Sequence, residues 1–392
     1  MSMETGSKQR SVEPGALRSL GLYVHIPFCR TRCAFCNFYL QVYRPDRAER
    51  FLAALRKELT LYANRPELSG PPLSSIYLGG GTPTVLSADQ LCDLLAAIRR
   101  TFACQSDIEI TVEAHPDTVS DQMLTRLREA GATRLSLGAE SLNDAELISI
   151  GRPSPAARVL RSVQWARAAG FDDLNLDLMY GLPGQSMESW QQTLAGVVSL
   201  RPDHVSCYAL TIEPETALAQ AIEAGATEQP DPEMQIAMEQ AAERILEQAG
   251  YDRYEISNYA RHGHRCRHNL LYWQAGDYLG LGPSAQSYVD GCRFGNLADL
   301  SGYEARLNEG LVPLDHREVL TTAQRSREAL VFGLRQLTGA DDRLLDSLCA
   351  DREWHWQLTT LLDEQLLERK DGRIRLTEAG RRVADSVAIR LI

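Results

Sequence analysis

From residue 22 onward, short apolar runs of strand length alternate with longer stretches whose apolar residues recur at helical spacing. The strand-like runs lie at 22–26, 75–78, 108–113, 134–138, 174–179 and 204–210. Helical stretches separate them at 47–61, 88–101, 120–130, 156–169 and 187–200. Strands joined through helices pair in parallel by right-handed crossovers. Six such units are too few for a closed eight-fold barrel and suit an open, partial one. Chemistry in that architecture sits at the C-terminal ends of the strands.

After about residue 217 the pattern changes. A helix at 233–249 leads into an aromatic- and glycine-rich stretch, 251–296, of weak periodicity. Helical patterns return at 322–337, 342–350 and 354–364. "LLERKDGRIRLTEAG" then sets two short strands around Asp371-Gly372, a hairpin dipeptide, before a last helix from Thr377. Helices with a two-stranded wing make a winged-helix-like α+β module. The expected organisation is a disordered tail over 1–20, a barrel over 21–250, a linking segment over 251–315 and the C-terminal module over 316–392.

The net charge of −11 argues against broad nucleic-acid binding, which works by neutralising phosphates. The N-terminal stretch lacks the apolar core of a signal peptide, and no apolar run approaches bilayer-spanning length. Six of the nine cysteines are scattered, as in a protein of the reducing cytoplasm.

The other three are not. Cys29, Cys33 and Cys36 stand in a C-x3-C-x2-C run just after the first strand. Random placement of the cysteines would give that spacing about 0.005 times per chain. Two metal readings follow. Zinc would need a fourth ligand, for which His25 is the adjacent candidate. An iron–sulfur cluster on three thiolates would leave one iron open to an outside ligand. The position at the mouth of a barrel with ample core of its own favours the cluster.

C-x3-C-x2-C after strand one of a (βα)6 partial barrel resembles the signature of the radical S-adenosylmethionine family. The resemblance implies a [4Fe–4S] cluster on Cys29, Cys33 and Cys36, whose open iron chelates S-adenosylmethionine. It further implies an electron donor for the cluster and cleavage of the sulfonium to a 5′-deoxyadenosyl radical. "YLGGGTP" (77–83) after the second strand is similar to the family's glycine motif. Read alone, it is a tight turn; a phosphate loop is excluded because no Gly-Lys-Ser/Thr follows. Acidic residues mark further strand ends: Glu113, Glu140 and Asp177. By resemblance, Tyr23, Phe35, Gly80, Gly81, Thr82, Glu113, Arg152, Asp177 and Ala209 match cofactor-contacting positions. Glu140 departs from the family pattern, where glutamine is usual; a carboxylate can accept from ribose hydroxyls but cannot donate.

The resemblance narrows over the whole chain after the tail. "DLMYGLPGQ", "LTIEPET" and the C-terminal module are similar to the oxygen-independent coproporphyrinogen III dehydrogenase-like group. Dehydrogenases of that group read C-x3-C-x2-C-x-C, whereas its haem chaperone branch has phenylalanine at the last place. This chain has Phe38 there, and "HNLLYW" (268–273) matches the branch's H-N-x-x-Y-W. The implied cargo is haem. His268 offers an imidazole for iron, Tyr272 and Trp273 offer flat faces, and Arg261, Arg265 and Arg267 offer partners for propionates. The bland alternative is an aromatic helix packed in the core around a hydrogen-bonded histidine.

The leading expectation is therefore a cytoplasmic haem chaperone, with no catalytic residue assigned. Its partners would be haem and an acceptor protein, membrane respiratory enzymes being candidates. The enzyme alternative is radical decarboxylation of coproporphyrinogen III propionates. Radical modification of RNA finds little support in the charge balance.

Overall fold

The computed structural model describes residues 19–63, 65, 71–348 and 351–392. The tail expected over 1–20 lies, except for its last two residues, outside them, as does Cys349.

The six expected strands form as β1 (Leu20–Ile26), β2 (Leu73–Gly80), β3 (Cys104–Ala114), β4 (Arg134–Glu140), β5 (Asp173–Tyr180) and β6 (His204–Ala209). They pair in parallel in chain order. Helices Pro45–Ala63, Ala88–Thr101, Asp121–Glu129, Ala157–Ala168 and Met187–Leu200 cover the outer face. Their starts are written in the sequence: Ser87 caps its helix in a reciprocal capping box with Gln90, and Ser120 and Ser186 accept from the third helical N–H. Phe51, Leu95, Leu124, Val163 and Trp190 meet Leu22, Val24, Ile76, Ile110 and Leu176 in one continuous core.

The stretch read as weakly periodic extends this sheet at both edges. At the first, β7 (Asp277–Leu281) lies parallel to β1 and leads into the antiparallel strands β8 (Gln286–Val289), β9 (Cys292–Asn296) and β10 (Leu314–Val319). At the other edge, Asn258–Ala260 pairs antiparallel with β6, and Asp252–Arg253 lies outside it. Among the described residues this makes one sheet of twelve strands. Buried Glu58 ties the added strands to the first helix, accepting from Gly282 N at 2.9 Å, Asn296 Nδ2 at 2.6 Å and Tyr303 OH at 2.6 Å.

Strand alternation sends Tyr23, Tyr77, Thr111, Glu113, Ser136, Asn175 and Asp177 to the concave side. The helix Arg267–Trp273 closes the bottom of that concavity. Its backbone N–H groups at Arg267 and His268 donate to Glu109 at 2.9 and 3.0 Å.

The C-terminal module has its own core of Leu330, Trp354, Leu361, Ile374 and Leu391. It comprises helix Thr322–Gly333, a 3-10 turn Asp342–Ser347, helix Arg352–Asp363 and the hairpin of Leu367–Lys370 with Arg373–Leu376. Asp371 and Gly372 turn that hairpin at φ 53° and 71°, the left-handed pair that suits such a turn. Of the helix expected at 342–350, residues 342–347 form a short 3-10 turn and 349–350 lie outside the described residues; the last helix breaks at Val383. Backbone bonds Ile256 N to Arg335 O and Leu337 N to Tyr254 O, each 3.1 Å, dock the module to the barrel edge.

Candidate functional site: two adjoining cavities at the barrel mouth

β1 runs directly into the thiol loop. Phe28–Cys29 pairs with Gln41–Val42, so the loop is stapled at its base. Ala34 N bonds to Ile150 O and Leu218 N to Ala34 O, both at 2.9 Å, fixing its tip to two later units of the barrel. The three thiols line a cavity of about 610 Å³ over the C-terminal strand ends. All three are free of disulfides. Cys29 Sγ lies 3.3 Å from Thr82 Oγ1, and Cys33 Sγ accepts from Arg152 Nε at 3.4 Å. Burial pushes the Cys29 thiol up to about 11 and that of Cys36 upward as well, so both hold protons that metal binding must displace.

His25 cannot serve as the fourth zinc ligand in this arrangement. Its Nδ1 meets Tyr23 OH at 3.1 Å and its Nε2 meets the Tyr39 carbonyl at 3.0 Å. Among the described residues no group of three side chains is already closed around a metal position, but three free thiols on one cavity wall, with His25 engaged elsewhere, suit a cluster that keeps one iron open.

The glycine motif packs under this loop. Gly81 N bonds to Ile26 O at 2.9 Å and Thr82 N to Phe28 O at 2.7 Å. A Cβ on Gly81 would sit 2.6 Å from Phe28 O, so no other residue fits. Gly80, at φ 110°, turns its N–H onto Glu113 Oε2 at 3.2 Å. Glu113 Oε1 also accepts from Tyr77 OH at 2.8 Å. Burial nonetheless raises the Glu113 carboxyl to about 7, and the neighbouring Asp177 adds to the rise. Asp177 accepts from Asn175 Nδ2 at 2.7 Å and Ser136 Oγ at 3.2 Å; burial raises it too.

Glu140 takes a left-handed backbone, φ 60°, after a register shift in β4. Its carboxylate meets Arg152 Nη2 at 3.0 Å. Burial raises it to about 7 against the pull of Arg152. Arg152 also donates to Gly138 O at 2.8 Å, so one guanidinium ties a thiol, a strand and a carboxylate together. Phe35 lines the same cavity within a small apolar cluster that includes Met179 and Leu210. Tyr23 stands on the wall of the adjoining cavity instead, and Ala209 lies on neither wall; its neighbour Tyr208 does line the first. Tyr77, Ser136, His115 and Tyr208 also line it without having been singled out from the sequence. Tyr77 pairs with Tyr23 and Ser136 with Asn175 across neighbouring strands, a register that alternation within one strand does not reveal.

A second cavity, about 490 Å³, adjoins the first through Phe38, Gly80 and Glu113, which line both. Its walls are largely aromatic: Tyr272, Trp273, Tyr278, Tyr288 and Phe332. Phe38 is 69 % exposed, an apolar ring held out at the shared rim.

The "HNLLYW" residues divide between this cavity and the barrel floor. Tyr272 and Trp273 line the cavity. His268 is 1 % exposed, stacked on Tyr77, with Nδ1 2.8 Å from Ser75 Oγ and Nε2 2.9 Å from Tyr272 OH. Burial lowers it to about 3, so it is a neutral imidazole with both nitrogens engaged and neither open to iron. Arg261, Arg265 and Arg267 line neither cavity. Arg261 stacks on Tyr251, Arg265 on Tyr254, and Arg267 pairs with Asp107 at 2.9 Å. These positions do not suit the propionate-pairing role expected from the sequence, because the helix presents its opposite end to the cavity.

Comparison with known proteins follows the same lines. The profile of the Radical SAM superfamily matches residues 23–195. "Heme chaperone HemW" of Mycobacterium tuberculosis is 34 % identical over 377 residues, covering 95 % of this chain and 94 % of that protein. "Heme chaperone HemW" of Bacillus subtilis is 33 % identical over 375 residues, covering 93 % and 97 %. Among solved structures, coproporphyrinogen III oxidase (HemN) from Escherichia coli, described as a radical SAM enzyme, superposes with a TM-score of 0.84 at 28 % identity, covering 95 % of this chain and 90 % of that one. Similarity at this level along nearly the full length of both partners means that the chain belongs to the radical SAM superfamily and, within it, to the HemW family.

Proposed function

We propose that this protein binds haem beside a [4Fe–4S] cluster and S-adenosylmethionine, and passes the haem to an acceptor protein in the cytoplasm. The observation that carries the reading is the aromatic cavity opening onto the thiol cavity, with Phe38 rather than a fourth thiol at their shared rim. A volume of about 490 Å³ falls within the range of small-ligand pockets, about 300–1,000 Å³. Flat apolar walls suit a macrocycle. The full-length relatives bear the name heme chaperone, which supports the same cargo.

Cys29, Cys33 and Cys36 would hold the cluster. Glu113, Glu140 and Asp177 would offer acceptors and negative charge to the polar and cationic groups of the cofactor, and Arg152 would offer a partner for its carboxylate. Held there, such a cluster would supply an electron for cofactor chemistry, drawn from a donor protein. Phe35, Gly80, Gly81 and Thr82 would shape the pocket around it, whereas Tyr23 lines the adjoining cavity and Ala209 lines neither. Tyr272 is assigned to meet the haem, and His268, behind it, to orient the Tyr272 hydroxyl.

One observation favours a second reading. The close likeness to a coproporphyrinogen III oxidase structure means that radical decarboxylation of a porphyrinogen would find a familiar scaffold. Anaerobically reconstituted protein offered haem and, separately, coproporphyrinogen III separates the two. The chaperone reading expects a Soret band from bound haem and no protoporphyrinogen IX. Catalytic formation of that product would overturn it.

A further inference from the structure

Arg293 is the one Arg or Lys among the described residues lining the aromatic cavity. It stands on β9, in the sheet extension, and its guanidinium is paired with the Glu328 carboxylate. Glu328 belongs to helix Thr322–Gly333 of the C-terminal module, and Phe332, one turn further on, lines the same cavity. The pair therefore does two things at once. It neutralises that cation, and it fastens the module's first helix to the sheet beside the cavity's wall.

A tetrapyrrole brings an apolar disc and, on one edge, carboxylates. The aromatic walls fit the disc, but a carboxylate there finds few partners. His25 on the wall is lowered by burial and so is neutral, and Glu113 is itself acidic. A carboxylate removed from water without a cation is costly. Arg293 is the available partner, and Glu328 holds it. Glu318, opposite Arg293 in the β9–β10 register, is exposed and adds to the acidic side.

We propose that a carboxylate of the bound tetrapyrrole takes Arg293 from Glu328, so that filling the cavity releases this fastening of the C-terminal module. The inference rests on the haem reading and deepens it. The exchange trades one carboxylate partner for another, so Arg293 is never left unpaired. Glu328 is returned to solvent as its helix loosens. Loading thereby becomes a change on the module's surface, which an acceptor can sense.

The test uses the full chain, anaerobically reconstituted, titrated with haem and with haem dimethyl ester, whose carboxylates are blocked. Native protein should bind haem more tightly than the ester. Arg293→Gln should weaken haem roughly tenfold, the size of a charge-assisted hydrogen bond, and leave the ester unchanged. Glu328→Gln should tighten haem roughly two- to fivefold by removing the competitor. Hydrogen exchange in residues 322–333 should rise when haem binds native protein and be raised beforehand in Glu328→Gln. Equal affinity for haem and ester, with exchange unaltered by haem, overturns this inference and leaves the haem reading standing. Failure of native protein to bind haem overturns both. Should Arg293→Gln fold poorly, the Glu328→Gln and ester comparisons decide alone.

Discussion

Glu140 is pulled in two directions. Burial keeps its carboxyl protonated up to about 7, while the Arg152 guanidinium 3.0 Å away favours the anion. Near neutrality it is thus only partly ionised, and a glutamine in its place would keep the acceptor, add a donor and lose little charge. Glu140→Gln is expected to preserve or tighten S-adenosylmethionine binding in equilibrium dialysis; loss of binding would assign the carboxylate a direct role. Glu113 shares the same raised range, so a cationic ligand meets more negative charge as pH rises through about 7. Affinity for the cofactor should accordingly increase from pH 6 to 8 in native protein, with a shallower slope in Glu140→Gln. The thiols give a plainer test. Replacing Cys29, Cys33 and Cys36 by alanine should abolish bound iron and labile sulfide, whereas replacing Cys92, Cys104 and Cys292 should not; retention of a cluster by the first variant would refute the assignment.

The "HNLLYW" helix shows what a sequence motif can hide when an element's orientation is unknown. Its N-terminal turn sits on the barrel floor at Glu109, and its last residues reach the aromatic cavity. His268→Ala would leave Ser75 and Tyr272 without their buried partner and open a void beneath Tyr77. The expected cost is about 2–4 kcal/mol of stability, read as a lower urea midpoint, with haem still bound by the folded fraction. Loss of haem at unchanged stability would instead make His268 the ligand. The barrel strands and their helices were legible because outward residues such as Leu22, Val24 and Trp190 keep strand and helix periods against one core. β7 was not, since "DYLGL" is short, contains glycine and earns its place only by pairing with β1 more than 250 residues earlier in the chain. The thiol loop was readable from spacing, and Phe38 only through the resemblance to the haem chaperone branch. Arg293 and Glu328 were not, because two elements 35 positions apart meet there only after the module docks.

At the scale of the whole molecule, an interior this polar ties stability to pH from both sides. Burial lowers four histidines: His25 and His204, and His115 and His268 down to about 3. Each binds fewer protons folded than unfolded, so their contribution falls as pH drops below about 6.5. Burial also raises carboxyls: Glu58, Glu113 and Glu140 to about 7, Asp173 to about 6, and Asp177, Glu255 and Glu304 upward as well. These bind more protons folded than unfolded, so their contribution is full at acid pH and is lost as pH climbs through about 7. Between roughly 4.5 and 6.5 the two sets oppose each other, and outside that window one acts alone. Urea midpoints of cluster-free protein should therefore show a broad optimum at mildly acid pH, with a decline on acidification and another between pH 6.5 and 8. Glu58 stands on the first helix against the sheet extension, apart from both cavities, and accepts from three donors. Glu58→Gln keeps an acceptor for those donors while removing the proton equilibrium. It should flatten part of the alkaline decline and leave the acid limb alone. Should the alkaline limb keep its full slope in that variant, Glu58 does not hold its proton in the folded state. A cationic cofactor pulls Glu113 and Glu140 back toward ionisation, so saturating S-adenosylmethionine should remove a further part of the decline but none of the share due to Glu58.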